Sequence, residues 1–240
     1  MSSTRRLYWD DAYRADFTAT VLSAGDGWAA LSETAFYPGG GGQPADTGSL
    51  VAKSGEASVE AVRAEDGLIW HRAPLSLIEG EPVTGRVDWA RRYALMRYHT
   101  LLHILNTLMW ERFGARITGA DIGADQARAD FNAEGPLRES APALETAINE
   151  VIARGLALRS GFVPEAELAR DPRLVRTLTA APPVEDGRVR TLEIDGFDVQ
   201  ACGGTHVHST AELGTCRIVR VDNKGRQNRR VYVALSPPAG

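Results

Sequence analysis

The sequence predicts an α+β chain, with a small N-terminal β-barrel over residues 1–87 followed by an α+β domain over residues 88–240. Three observations carry this. Short β-compatible runs alternate with turn residues up to Val87. A helical period takes over at Asp88. Two distant segments, His99-Thr100-Leu101-Leu102-His103 and Cys202-Gly203-Gly204-Thr205-His206, then repeat one four-residue spacing of metal-ligating side chains.

Phe17–Leu22 and Trp28–Leu31 flank Gly25-Asp26-Gly27, the signature of a hairpin. Further runs follow at Ser49–Ala52, Ser58–Arg63, Leu68–His71 and Pro82–Val87, punctuated by Gly55, Asp66-Gly67 and Pro74. Interrupting them is Phe36-Tyr37-Pro38-Gly39-Gly40-Gly41-Gly42-Gln43-Pro44-Ala45-Asp46-Thr47-Gly48. It has no lysine and no P-loop spacing, which argues against a nucleotide phosphate cradle.

Asp88 reads as the N-cap of a helix that runs to about Phe113 and ends at Gly114. Leu95, Leu102, Leu105 and Met109 form its core stripe, with the two histidines on a neighbouring stripe. Ala127–Asn132 reads as a strand. Ala143–Leu158 reads as a second helix, with Leu144, Ile148, Val151, Ile152 and Leu158 in register and Gly161 as its stop. Strands are expected at Arg188–Ile194, Cys216–Val221 and Arg230–Leu235, and the domain boundary at residues 85–90.

The 240 residues suffice for a sizeable core. No apolar run approaches the roughly 20 residues that span a bilayer. The N-terminal stretch, with Arg5, Arg6, Asp10, Asp11 and Arg14, has no apolar secretory segment. Two cysteines do not make a disulfide framework, so the expected compartment is a reducing cytoplasm. Net charge is −4, yet basic residues gather at Arg86, Arg91, Arg92 and Arg97, and again at Arg217, Arg220, Lys224, Arg226, Arg229 and Arg230. Lying next in sequence to the ligand segments, these clusters read either as solvated surface or as a phosphate-tracking one.

Residues four apart on a helix lie about 40° apart, so His99 and His103 share a face. Two glycines let Cys202 and His206 fold back toward one another. Three imidazoles and a thiolate suit zinc, and they use three of five histidines and one of two cysteines. His71, His208 and Cys216 stay outside the pattern. The helix lacks the glutamate of the HExxH protease motif. Four protein ligands would close the metal sphere, whereas three and a water would leave the position hydrolysis needs. The backbone amides of Gly203 and Gly204 are candidates for holding an oxyanion.

Arg91-Arg92-Tyr93 with HTLLH, and CGGTHV followed by Ser209-Thr210-Ala211-Glu212-Leu213-Gly214, resemble the editing domain of alanyl-tRNA synthetase. They are similar also to its free-standing relatives, the AlaX trans-editing proteins. FYPGGGGQPADTG resembles the glycine-rich motif of that family's N-terminal barrel. Val87-Asp88-Trp89, Gly119-Ala120-Asp121-Ile122-Gly123 through Asp130-Phe131, and Asn223-Lys224-Gly225 with Arg229-Arg230 are further AlaX-like segments. In family order they cover about Thr18 to Leu235, as in the medium-length form.

The resemblance implies a ThrRS/AlaRS-type α+β editing domain and Zn2+ at His99, His103, Cys202 and His206. It implies a zinc-dependent deacylase that hydrolyses mischarged Ser-tRNA(Ala), or Gly-tRNA(Ala), in trans, with that tRNA as partner and no membrane. Thr118 is then the residue that reads the serine hydroxyl, and Gln43 and Asp46 are the polar members of a loop over the editing pocket. Two alternatives stay open, a zinc-stabilised RNA-binding module without turnover and an editing domain acting on Ser-tRNA(Thr). The sequence does not speak to oligomeric state.

Overall fold

The computed structural model describes residues 3–135, 137–178 and 182–236. The chain divides into two compact units, Met1–Gly40 with Pro44–Tyr93, and Gly41–Gln43 with Ala94–Gly240.

The first unit is an antiparallel sheet of seven strands. Their spatial order is Gly55–Val59, Gly48–Ala52, Pro82–Val87, Asp16–Gly25, Trp28–Leu31, Leu68–Arg72 and Ala61–Glu65. The two outermost strands are consecutive in sequence, separated only by Glu60, so the sheet curls into a half-barrel. That crossing splits the run expected as one strand over Ser58–Arg63. Alternation fills the interior: Phe17, Ala19 and Val21 point inward from one strand, and Val83 and Val87 from its neighbour. Gly85 lies opposite Phe17, whose ring would sit 2.3 Å from a Cβ there. The expected Asp26-Gly27 and Asp66-Gly67 turns have φ of 51° and 76°, and of 50° and 78°, the paired positive values of tight hairpins.

This unit extends to Tyr93 because Arg92 is anchored in it. The guanidinium pairs with Asp46 and donates to the carbonyls of Ala12 and Ala35 at 2.9 and 2.5 Å. Asp46 also accepts from the Tyr37 N–H at 2.6 Å.

The long helix Trp89–Phe113, from Ala94 onward, is the organising element of the second unit. Asp88 Oδ1 accepts from the Arg91 N–H at 3.2 Å, and Gly114 closes the other end at φ 60°. Every residue from Tyr98 to Met109 is buried, so the single core stripe expected from the sequence is replaced by burial all round. Each polar side chain on those turns therefore needs a protein partner.

An antiparallel sheet runs in the order Ile117–Ile122, Ala127–Phe131, Arg229–Ser236, Thr215–Asn223. A second sheet places Arg188–Ile194 between Leu158–Pro164 and Asp198–Ala201. The second helix spans Leu137–Ala153 rather than Ala143–Leu158. It begins before Pro142, which it tolerates inside, and Gly155 turns the chain at φ 60°. Leu158 and the expected stop Gly161 instead lie in the strand Leu158–Pro164. Asn149 and Glu145 of this helix bond the backbone of Cys216 and Ile218. No helix among the described residues is long and apolar enough to cross a membrane.

Candidate metal centre

His99, His103, Cys202 and His206 come together in the second unit as a buried group whose ligand atoms all lie within 4.8 Å of one another. These four residues could hold a metal ion. Cys202 Sγ is 3.6 Å from His99 Nε2 and 3.2 Å from His206 Nε2. Around a tetrahedral ion with bonds of about 2.3 Å to sulfur and 2.0 Å to nitrogen, a sulfur–nitrogen separation of about 3.5 Å is required. The donor set fits.

Local structure holds each donor. The Cys202 N–H donates to the Arg190 carbonyl at 2.9 Å, and Arg190 Nη1 returns bonds of 3.0 Å to the carbonyls of both Cys202 and Gly204. His206 Nδ1 faces Thr100 Oγ1 at 3.1 Å, and His99 Nδ1 faces Gln43 Oε1 at 2.7 Å. Both rings thus turn Nε2 toward the sulfur. His103 sits above a buried network in which Thr107, Gln200, Asp198 and Arg176 are linked side chain to side chain. Thr107 Oγ1 and Gln200 Nε2 both bond the His103 carbonyl, at 3.0 and 3.3 Å.

Burial sets the protonation of the cluster. It pushes His103 down to about 4, and pushes His99 and His206 well below the ordinary imidazole value. It pushes the Cys202 thiol up. At neutral pH the imidazoles are therefore lone-pair donors, and a bound cation would favour the thiolate.

Gln43 is 2% exposed and touches the cluster through His99 and Thr205. The Asp46 carboxylate is committed to Arg92 and to the Tyr37 N–H, in the first unit. Thr118 lies in the strand Ile117–Ile122, at the bulge where the register slips between Ile117 and Gly119. Its Oγ1 is buried and has no hydrogen-bond partner among the described residues. The Gly204 N–H lies 3.4 Å from Cys202 Sγ, which engages it with the sulfur rather than leaving it for an oxyanion. His208 is exposed and outside the cluster.

The basic run Arg217–Arg230 is largely engaged within the protein. Arg229 is 7% exposed and donates to the carbonyls of Gly135, Gly225 and Asn228. Arg230 grips Asp130 at 2.6 and 2.8 Å. Arg220 pairs with Asp222 and lies over the Tyr232 ring, whereas Arg217 and Arg226 are exposed. Sequence reasoning missed the network beneath His103 and the clamp made by Arg190. The signal available was a helix on which Thr100, Asn106 and Thr107 interrupt every apolar face.

Two family profiles match the chain. Residues 189–232, which include Cys202 and His206, match the threonyl and alanyl tRNA synthetase second additional domain. Residues 11–91 match the class II (A) tRNA synthetases. The alanyl-tRNA editing protein AlaX-M of Saccharolobus solfataricus is 40% identical over 98% of this chain and 100% of its own length. The AlaX-M of Methanosarcina barkeri is 38% identical over 97% of this chain and 99% of its own. The alanine–tRNA ligase of Pyrococcus furiosus is 35% identical over 100% of this chain, which spans 26% of that enzyme.

Proposed function

The chain belongs to the AlaX-M family of alanyl-tRNA editing proteins, and from that premise we propose that it is a zinc-dependent deacylase acting in trans on mischarged tRNA(Ala). Its substrate is the ester of Ser-tRNA(Ala), with Gly-tRNA(Ala) as the second candidate. The observation that carries the reading is the convergence of four buried donor atoms from His99, His103, Cys202 and His206. A zinc ion on those donors would supply positive charge next to the scissile ester.

The chain's own residues account for selectivity. A synthetase pocket shaped for alanine discriminates poorly against one added hydroxyl, where each group is worth only about 1–3 kcal/mol. A hydrolytic pocket inverts the problem if it carries a polar group that only serine satisfies. Thr118 Oγ1 supports that role, because it is buried without a partner among the described residues. Such a group costs about 1–3 kcal/mol until a ligand pairs it. Serine would satisfy it and alanine would leave it unmet. Arg190 and Gln43 keep the ligand segment and the His99 ring in place, so the site needs little rearrangement when substrate arrives.

Full-length likeness to AlaX-M proteins favours the alanine branch over Ser-tRNA(Thr). The decisive assay incubates purified protein with serine-, glycine- and alanine-charged tRNA(Ala) and follows release of the amino acid. Rapid release of serine, with alanine retained, is the expected result; binding without release of any of them would support an RNA-binding module instead. Cys202→Ala should abolish release and lower zinc content together. Thr118→Val should narrow the serine-over-alanine preference while zinc content stays unchanged.

A further inference from the structure

His99 stands on the stretch of helix from Tyr98 to Met109 that has no solvent face, so its second ring nitrogen has to find a protein partner. Gln43 Oε1 provides one at 2.7 Å from Nδ1. The same oxygen lies 3.2 Å from the Thr205 backbone nitrogen, while Gln43 Nε2 donates to Thr205 Oγ1 at 2.7 Å. These contacts settle the direction of every bond. A backbone N–H only donates, so the Gln43 atom facing Thr205 N is the amide oxygen. An amide oxygen only accepts, so the proton sits on His99 Nδ1. Nε2, 3.6 Å from Cys202 Sγ, then presents its lone pair to the cluster.

The backbone is shaped to admit this amide. Gly42 has φ +90°, and a Cβ there would lie 2.7 Å from that of Ala120. A Cβ at Gly204 would lie 2.9 Å from Gln43 Oε1 and 2.6 Å from His99 Nδ1. Both glycines leave room that a side chain would fill. The carboxylate of Asp46, three residues on, is bound to Arg92 instead, so among the two polar members of the glycine-rich segment only Gln43 reaches the centre.

We propose that Gln43 is a positioning residue of the metal centre: one amide fixes the His99 tautomer and ties the helix to the loop that carries Cys202 and His206. The inference rests on the reading of the four donors as a metal site. It makes the glycine-rich segment a determinant of metal affinity, through an outer-shell bond of the kind worth about 10- to 100-fold.

The test uses the full chain and its Gln43→Met and Gln43→Glu variants, each freed of metal and titrated with Co2+. Absorbance reports the tetrahedral d–d bands and the thiolate charge-transfer band, and Zn2+ competition against a chelator gives affinity. Methionine keeps the bulk but cannot accept from His99, so its metal affinity should fall about 10- to 100-fold with altered d–d bands. Glutamate still accepts from both His99 Nδ1–H and Thr205 N–H, so its affinity should stay within about threefold of the natural protein. Thermal melts of the metal-free proteins report folding, and the glutamate arm holds if the methionine variant is unstable. Equal affinity and bands in the natural and Met proteins would overturn the inference, as would a loss in Glu equal to that in Met. A natural protein that gives no Co2+ bands overturns this inference and the metal-centre reading together. One that binds Co2+ and edits, with Gln43→Met unaffected, overturns this inference alone.

Discussion

Gly204→Ala tests whether the centre depends on van der Waals clearance. A Cβ at that position falls 2.3 Å from His99 Cε1, 2.6 Å from Nδ1 and 2.9 Å from Gln43 Oε1. Gly204 lies outside the left-handed region of φ, so the cost is steric rather than conformational. An ordinary carbon–carbon contact is about 3.5 Å, so ring and loop must part by about 1 Å. Metal–ligand bonds tolerate only about 0.2 Å. Overpacking of this kind costs about 1–3 kcal/mol. If that strain falls on the metal-bound state, affinity drops about 5- to 150-fold. Chelator competition with Zn2+ measures it directly. Gly203→Ala is the control, because among the described residues a Cβ there meets the Pro183 ring, at 2.9 and 3.6 Å, and none of the four donors. Zinc affinity in Gly204→Ala within threefold of the natural protein would refute the reasoning, as would an equal loss in both variants.

Three other outcomes follow from particular side chains. Asp46→Ala strands the fully buried Arg92 guanidinium, so stability of the first unit should fall by about 3–5 kcal/mol; a loss below about 1 kcal/mol in urea melts would contradict the pairing. Burial pushes His71 from 6.5 down to about 4, so the unfolded chain takes up a proton that the folded one refuses. The first unit should therefore be fully stable above pH 6.5 and lose up to about 3 kcal/mol as pH falls through 4, and His71→Gln should flatten that slope relative to the natural protein. Arg217→Ala with Arg226→Ala should lower the salt dependence of tRNA binding by about 0.7–0.9 for each phosphate no longer neutralised, while melting is unchanged; a constant slope removes that surface from the interface.

Local signals made much of this fold legible. Asp-Gly turns marked two hairpins, and Asp88 and Gly114 bracketed the long helix, because a cap or a positive φ is written in one or two residues. The four donors were readable because scarce residue types recurred at one spacing. Long-range pairing was not readable. Nothing near Arg229 or Arg230 in sequence announces Gly135 or Asp130 as partners, and so the basic run looked freer than it is. The pairing of Asp46 with Arg92 was equally hidden, the two lying far apart in sequence. Pro142 masked the start of a helix that begins five residues before it and runs on through it. The break at Glu60 comes from curling of the sheet, which no window of a few residues contains.

Three consecutive turns of the long helix, Tyr98 to Met109, have no side open to water. Drift in most helices is absorbed on their wet flank, and here that outlet is closed. Even an isosteric Thr107→Val would take the acceptor from the buried Arg176 Nη1–H and remove the hydroxyl that bonds Asp198 or the His103 carbonyl. Attempts to diversify this protein, by selection or by design, have to leave that stretch fixed and draw their variation from the outer strands.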